Sequence, residues 1–185
     1  MSVIDAPSTD LTLDQFVDLP DSDHMELIDG APVEKLEMGY LERSVQLKVG
    51  RYIDEAQDAK PIGIATVEGL VRINPNDPKR GRRPDVAFVT FDRLGDRPTD
   101  AAYIDVCPEI CVEIVSPNDT SFEVAAKIAE YLAAGAKLVW EVQREQRYVM
   151  VHRPDGNNTR LGVKDTLTGE DVLPNFSVAV KKLFG

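Results

Sequence analysis

Residues 109–120 read EICVEIVSPNDT, and the reading of this stretch decides the fold. The segment 109–115 is the strongest strand of the chain, a short run of Ile, Val and Cys bounded by turn formers. Ser116-Pro117-Asn118-Asp119 ends it. Thr120 with Glu123 three residues later is a capping-box pattern, so a helix opens there and runs to Ala134. Gly135 then supplies the C′ position, where a left-handed residue closes a helix. The segments 137–142 and 147–152 follow as a hairpin.

The same logic extends outward. Upstream, 85–90 (DVAFVT) reads as a strand, preceded by a turn-rich loop at 74–83 (NPNDPKRGRR). Short β-like runs at 62–67 and 70–73 surround Gly69, and residues 91–108 are irregular, with prolines at 98 and 108. Leu41, Val45, Val49, Tyr52, Ile53 and Ala56 recur at spacings of three and four, predicting a helix over 40–58 that Pro61 stops. Asp29-Gly30 between the runs 25–28 and 32–37 is a hairpin signal. Downstream come one or two further strands and a short closing helix at 177–184. Strands and helices alternate without a regular βαβ repeat. The expected class is therefore α/β (α+β) with a mixed sheet flanked by helices.

Length and composition bound the function. The 185 residues, 43% hydrophobic and 29% charged, suit one globular domain. No run approaches the roughly 18 apolar residues of a membrane span. The first residues, MSVIDAPSTD, lack the basic and apolar regions of a signal peptide, so the cytoplasm is the expected compartment. Cys107 and Cys111 on one strand make a poor disulfide framework, and with only His24 and His152 a zinc site is not expected. Each histidine reads as a surface or packed residue, and Trp140 as core. There is no phosphate loop, GxSxG elbow, HExxH or EF-hand.

Charge is asymmetric. Residues 1–30 hold eight acidic residues and no basic ones, a charge of −8, while the other 155 hold 21 basic and 24 acidic, a charge of −3. Residues 1–20 read as a mobile or peripheral arm, with a helical turn possible from Thr12, where Gln15 completes a capping box. The division is an acidic arm over 1–23 and one domain over 24–185. A net charge of −11 argues against general nucleic-acid binding, which needs cations to neutralise phosphates. The exception is the cluster Lys79, Arg80, Arg82 and Arg83, which is either a solvated loop or a phosphate contact.

Two carboxylates stand in apolar surroundings: Asp85 at the start of its strand and Glu113 inside 109–115. Charged residues are depleted in buried strands unless paired or bound to a metal. If the two strands are antiparallel neighbours, the start of one lies beside the end of the other. Asp85 and Glu113 then meet and suit a hard cation such as magnesium. Lys127 lies six residues into the following helix, roughly 9 Å along its axis. If the helix packs antiparallel over its strand, that distance matches about three strand residues and places Lys127 over Glu113. The alternative is an i,i+4 surface pair with Glu123.

These residues carry a resemblance. Arg83-Pro84-Asp85-Val86, then Val112 to Pro117, then Lys127 with Tyr131, and Gly135 before Val139-Trp140 resemble a restriction endonuclease-like family. That family is abundant in cyanobacteria and belongs to the PD-(D/E)XK nuclease superfamily. Glu26 to Gly30, Asp165 to Leu167 and Leu173 to Phe176 are also similar to it. The resemblance implies a restriction endonuclease-like core and Mg²⁺- or Mn²⁺-dependent hydrolysis of nucleic acid, DNA in the first place, by a homodimer or higher oligomer. It implies Asp85, Glu113 and the Ile114 carbonyl as metal ligands, with Glu26 as a further site carboxylate. Val115 occupies the usual lysine position, and Lys127 stands where the family's migrated lysine does. Glu42 stands where many relatives begin a helix with histidine. The competing readings are a weak or inactive nuclease fold used for binding or assembly, and a metal-dependent hydrolase of other phosphates.

Overall fold

A strand–helix–strand unit at residues 110–143 organises the protein, whose computed structural model describes residues 10–185. In chain order, α1 (Leu13–Phe16) and a 3-10 turn (Ser22–His24) lead into β1 (Met25–Ile28) and β2 (Ala31–Glu34). The long α2 (Tyr40–Glu55) precedes β3 (Gly63–Val67), β4 (Val71–Arg72), β5 (Gly81–Arg82) and β6 (Val86–Thr90). Then come α3 (Phe91–Leu94), β7 (Ile110–Val115), α4 (Ser121–Ala133) and β8 (Leu138–Gln143). The chain closes with β9 (Tyr148–His152), β10 (Thr159–Gly162), β11 (Thr166–Gly169), β12 (Leu173–Ala179) and α5 (Lys181–Phe184).

The main sheet has the order β10-β9-β8-β7-β6-β3. Only β7 and β8 pair parallel, because α4 returns the chain to the same end of the sheet; the other pairings are antiparallel. The sheet is therefore mixed, and helices cover it as the sequence predicts. One face packs on α2 through Val45, Val49 and Ile53, which meet Val86, Phe88, Val112 and Trp140. Trp140 is fully buried against Phe176, ring centroids 5.0 Å apart. The other face carries Cys111 and Val139 under Val124, Ile128 and Tyr131 of α4. Because side chains alternate along β7, Val112 and Ile114 point to α2 and Glu113 points to α4.

Local signals explain the elements. Thr120 and Glu123 form the full capping box of α4, and a cap of this kind stabilises a helix by about 1 kcal/mol. Asp29 and Gly30 both adopt positive φ, 50° and 80°, as a two-residue hairpin turn of the I′ type needs.

Several expectations need correction. Residues 1–9 of the expected arm lie outside the described residues. From Leu13 onward the arm is not peripheral: Leu13 and Phe16 are fully buried against Leu27 and Leu70. Burying each side chain is worth about 2 kcal/mol, enough to hold one helical turn in place. The Thr12–Gln15 capping box is present. Inside the expected 74–83 loop, β5 inserts between β1 and β4 in a second, four-stranded sheet of order β2-β1-β5-β4. Gly81 packs closely there: a Cβ would lie 2.8 Å from Leu13 Cδ2 and would push that side chain aside. Cys107 precedes β7 rather than lying on it, and both cysteines are free and buried. Residues 177–179 belong to β12, so the closing helix is shorter than expected.

Candidate active site

β6 and β7 run antiparallel with Val86 opposite Val112. One residue further along that register, Asp85 stands opposite Glu113, on the α4 side of the sheet. Asp85 is tied down by its own neighbour strand, because the Ile114 N–H donates to Asp85 Oδ2 at 2.6 Å. Both carboxylates are buried, Asp85 at 3% and Glu113 at 6% exposure. An adjoining cavity of about 200 Å³ is lined by Glu26, Lys35, Arg82, Asp85, Glu113 and Lys127.

α4 supplies the groups over Glu113. Lys127 and Tyr131 are one helical turn apart, so both point down the same face. Lys127 Nζ lies 3.2 Å from Glu113 Oε2, and the Tyr131 hydroxyl donates to Oε1 at 2.7 Å. Lys127 also lies 3.7 Å from Glu26 Oε1. Glu123 does not take the lysine; its carboxylate accepts from the Thr120 hydroxyl at 2.7 Å and completes the cap. The ion pairs of Lys127 are with Glu113 and Glu26, both inside the site.

Glu26 projects from β1 and is held by Arg82 at 2.8 Å and by the Arg83 N–H at 2.9 Å. The four predicted phosphate contacts all have internal partners. Lys79 pairs with Asp10, Arg80 with Asp29 and Glu130, and Arg82 with Glu26 and Glu130. Arg83 donates to the backbone carbonyls of Met25, Glu68 and Ser22 at 2.9, 2.8 and 3.1 Å. Those bonds use three of the five guanidinium N–H donors and hold the side chain in the interior, 7% exposed. Arg83 thus ties β1 and the 3-10 turn to the backbone just after β3, a link between the small sheet and the main one.

Three residues of the site, Lys35, Gln46 and Glu68, escaped the sequence reading. Lys35, just beyond β2, puts its ammonium 2.6 Å from Asp85 Oδ1 and 2.5 Å from Glu68 Oε2, and donates to the Arg83 carbonyl at 2.9 Å. Gln46 of α2 donates to Glu68 Oε1 and to the Asp85 carbonyl, both at 2.9 Å. No pattern in Val33-Glu34-Lys35-Leu36-Glu37 singles out the lysine, since its role depends on the hairpin lying across the end of the main sheet. Glu42 is also placed: it is buried and pairs with Arg144 at 2.5 Å, a packing role at the start of α2. His152 lies 2.8 Å from Glu141, away from Asp85 and Glu113.

The charges set one another's titration. Burial pushes the Glu113 carboxyl up to about 7, with Asp85 and Glu26 adding to the rise and Lys127 and Lys35 opposing it. Burial also works to raise Glu26, but Lys127, Arg82 and the Arg83 N–H outweigh it and hold that carboxyl below its usual range. For Lys35 and Lys127 burial opposes the charge, yet the surrounding carboxylates win and raise both.

A family model described as "Uma2: Putative restriction endonuclease" matches residues 13–181. The chain belongs to the Uma2 family. The match spans every site residue named above. A similar fold is seen in a crystal structure from Anabaena variabilis, described as "a putative nuclease belonging to DUF820". That chain is 21% identical, with a TM-score of 0.80, over 94% of this chain and 97% of its own length. At that identity the likeness concerns the fold. No curated protein matches.

The donor set fits a hard divalent cation. Two carboxylates and a backbone carbonyl offer oxygen only, and magnesium commonly keeps several of its waters and takes one or two carboxylates. Among the described residues no three His, Cys, Asp or Glu side chains gather as a ready metal cluster. A cation would therefore be held through few protein ligands, in competition with the Lys35 ammonium on Asp85.

Proposed function

We propose that this Uma2 protein is a metal-dependent endonuclease that hydrolyses phosphodiester bonds of nucleic acid, DNA in the first place. The observation that carries the reading is the Asp85–Glu113 pair on adjacent strands, with Lys127 on Glu113. Asp85, Glu113 and the Ile114 carbonyl would hold Mg²⁺ or Mn²⁺. Such an ion polarises a phosphate and lowers the pKa of a bound water.

The remaining roles fall to the chain itself. Lys127, gripped between Glu113 and Glu26, orients the attacking water and places positive charge where the transition state gains negative charge. Tyr131 fixes the Glu113 rotamer from the other oxygen. Glu26 positions Lys127 and is itself positioned by Arg82. Lys35 neutralises Asp85 and would have to give up that contact for a divalent cation to bind there. Pairing into a homodimer, which would let two sites address two strands, belongs to the same proposal and is tested by light scattering.

The test is cleavage of plasmid and oligonucleotide substrates with Mg²⁺ or Mn²⁺, beside the Glu113→Ala protein. Metal-dependent cleavage that Glu113→Ala loses supports the reading; cleavage that is absent or survives the change overturns it. The Lys35–Asp85 ion pair favours a second reading, a nuclease fold used for binding with its site closed. DNA binding without cleavage at any metal concentration would select it.

A further inference from the structure

The cluster at 79–83 has internal partners, so a nuclease with a net charge of −11 needs another surface to hold a phosphate backbone. A shallow depression at the far edge of the main sheet is lined by Arg147, Tyr148, Arg160, Lys164 and Lys181, and no carboxylate lines it. All four cations are exposed. Among the described residues none of them has an Asp or Glu partner; Arg147 donates to the Gly185 carbonyl at 3.3 Å. The neighbouring acid, Asp165, is turned to the Gly162 N–H at 2.7 Å.

The patch is ordered by sheet geometry. Gly162 stands opposite Tyr148 across β9 and β10, and Arg160 stands opposite Met150. Arg160 is thus the diagonal neighbour of Tyr148 on the same face, and Gly162 has no side chain to keep it off the ring. Its guanidinium lies over the Tyr148 ring, 4.1 Å from the centroid. A guanidinium held over an aromatic ring loses less freedom on binding, and its unpaired N–H groups can donate to a phosphate.

We infer that this depression grips the sugar–phosphate backbone of the nucleic acid, away from the cleavage site. The inference rests on the nuclease reading and names where that substrate is held. A cleft adjoins the catalytic cavity through Val115, Ser116, Asp119 and Val124, and adjoins the patch through Gln146. That cleft is lined by Asp119, Glu141 and Glu145 and by no Lys or Arg, so it repels phosphates. A bound chain therefore contacts the protein at two places with a gap between them. Substrates long enough to bridge the gap bind more tightly than short ones.

The experiment is fluorescence anisotropy of labelled duplex DNA in Ca²⁺ over a range of salt, comparing wild type with Arg160→Glu/Lys164→Glu. The expected result is at least about 10-fold weaker binding, with the salt slope reduced by about one for each cation lost. Equal affinity and slope in the two proteins, no DNA binding by wild type, or binding to phosphatidylserine vesicles in place of DNA would each overturn it. A protein that binds through the patch but never cuts defeats the nuclease reading and leaves this inference standing. One that cuts while the double variant binds like wild type does the reverse.

Discussion

The Lys35 ammonium lies 2.6 Å from Asp85 Oδ1, although the two residues are 50 positions apart, one just after β2 of the small sheet and the other just before β6 of the main sheet. Glu68 and the Arg83 carbonyl complete its surroundings. If Asp85 holds a metal ion as proposed, the lysine occupies the carboxylate oxygen that the ion would use and would compete with it.

Removing that competitor has two consequences of opposite sign. Lys35→Met should tighten Mn²⁺ binding by about 10-fold, a gain equivalent to about 1.4 kcal/mol. The same change leaves Asp85 and Glu68 without their cation, so the metal-free protein should lose about 3 kcal/mol. Isothermal titration with Mn²⁺ and urea denaturation in chelator measure the two effects. Unchanged or weaker metal affinity would show that the lysine does not compete.

Lys127 should matter for turnover more than for binding. Lys127→Ala is expected to reduce kcat by about 100- to 1,000-fold, the range for losing one preorganised charge in a transition state. Lys127→Arg should not restore it, because a planar guanidinium does not fit between Glu113 and Glu26 as a compact ammonium does. Steady-state cleavage kinetics decide the matter, and a variant with wild-type kcat would remove Lys127 from the mechanism.

The raised Glu113 carboxyl predicts a pH dependence of stability. A carboxyl near 7 in the folded protein, against an ordinary value of 4.5, favours folding while it is protonated. That contribution is fully present below 4.5 and is lost as pH rises through about 7. Glu113→Gln keeps the neutral form at every pH. In chelator, wild type should therefore fall relative to Glu113→Gln by roughly 3 kcal/mol between those pH values. Parallel unfolding curves with a constant difference would contradict the burial-driven shift.

Arg83 should behave as a structural residue. Arg83→Ala strips the donors from the carbonyls of Met25, Glu68 and Ser22 and removes one link between the two sheets. A loss of about 3 kcal/mol is expected, from carbonyls left partly buried without partners. Thermal denaturation measures it. A variant as stable as wild type but defective in DNA binding would return Arg83 to the nucleic-acid interface.

Much of the site was legible because its logic is short-range. The Ile-Val run around Glu113, the Thr120–Glu123 cap and the Asp29-Gly30 turn are each written in a window of a few residues. Two neighbouring antiparallel strands bring Asp85 to Glu113 by register alone. Rise per residue along α4 brings Lys127 to the same carboxylate. Tyr131, one turn beyond Lys127, follows from the same periodicity.

What tertiary structure decided is which charges meet across elements far apart in the chain. Lys35 joins the site because the β1–β2 hairpin lies over the end of the main sheet. Arg80 and Arg82 turn inward because that hairpin and α4 present Asp29, Glu26 and Glu130 to them. Arg160, Lys164 and Lys181 gather because β10, the turn after it and α5 end at one edge. Helix and strand periods act over a few residues, whereas an ion pair depends on distance in space. The amino-acid sequence therefore determined the elements, the Asp85–Glu113 pair and the reach of Lys127. Packing between the two sheets decided which cations are neutralised in the site and which stay free at the surface.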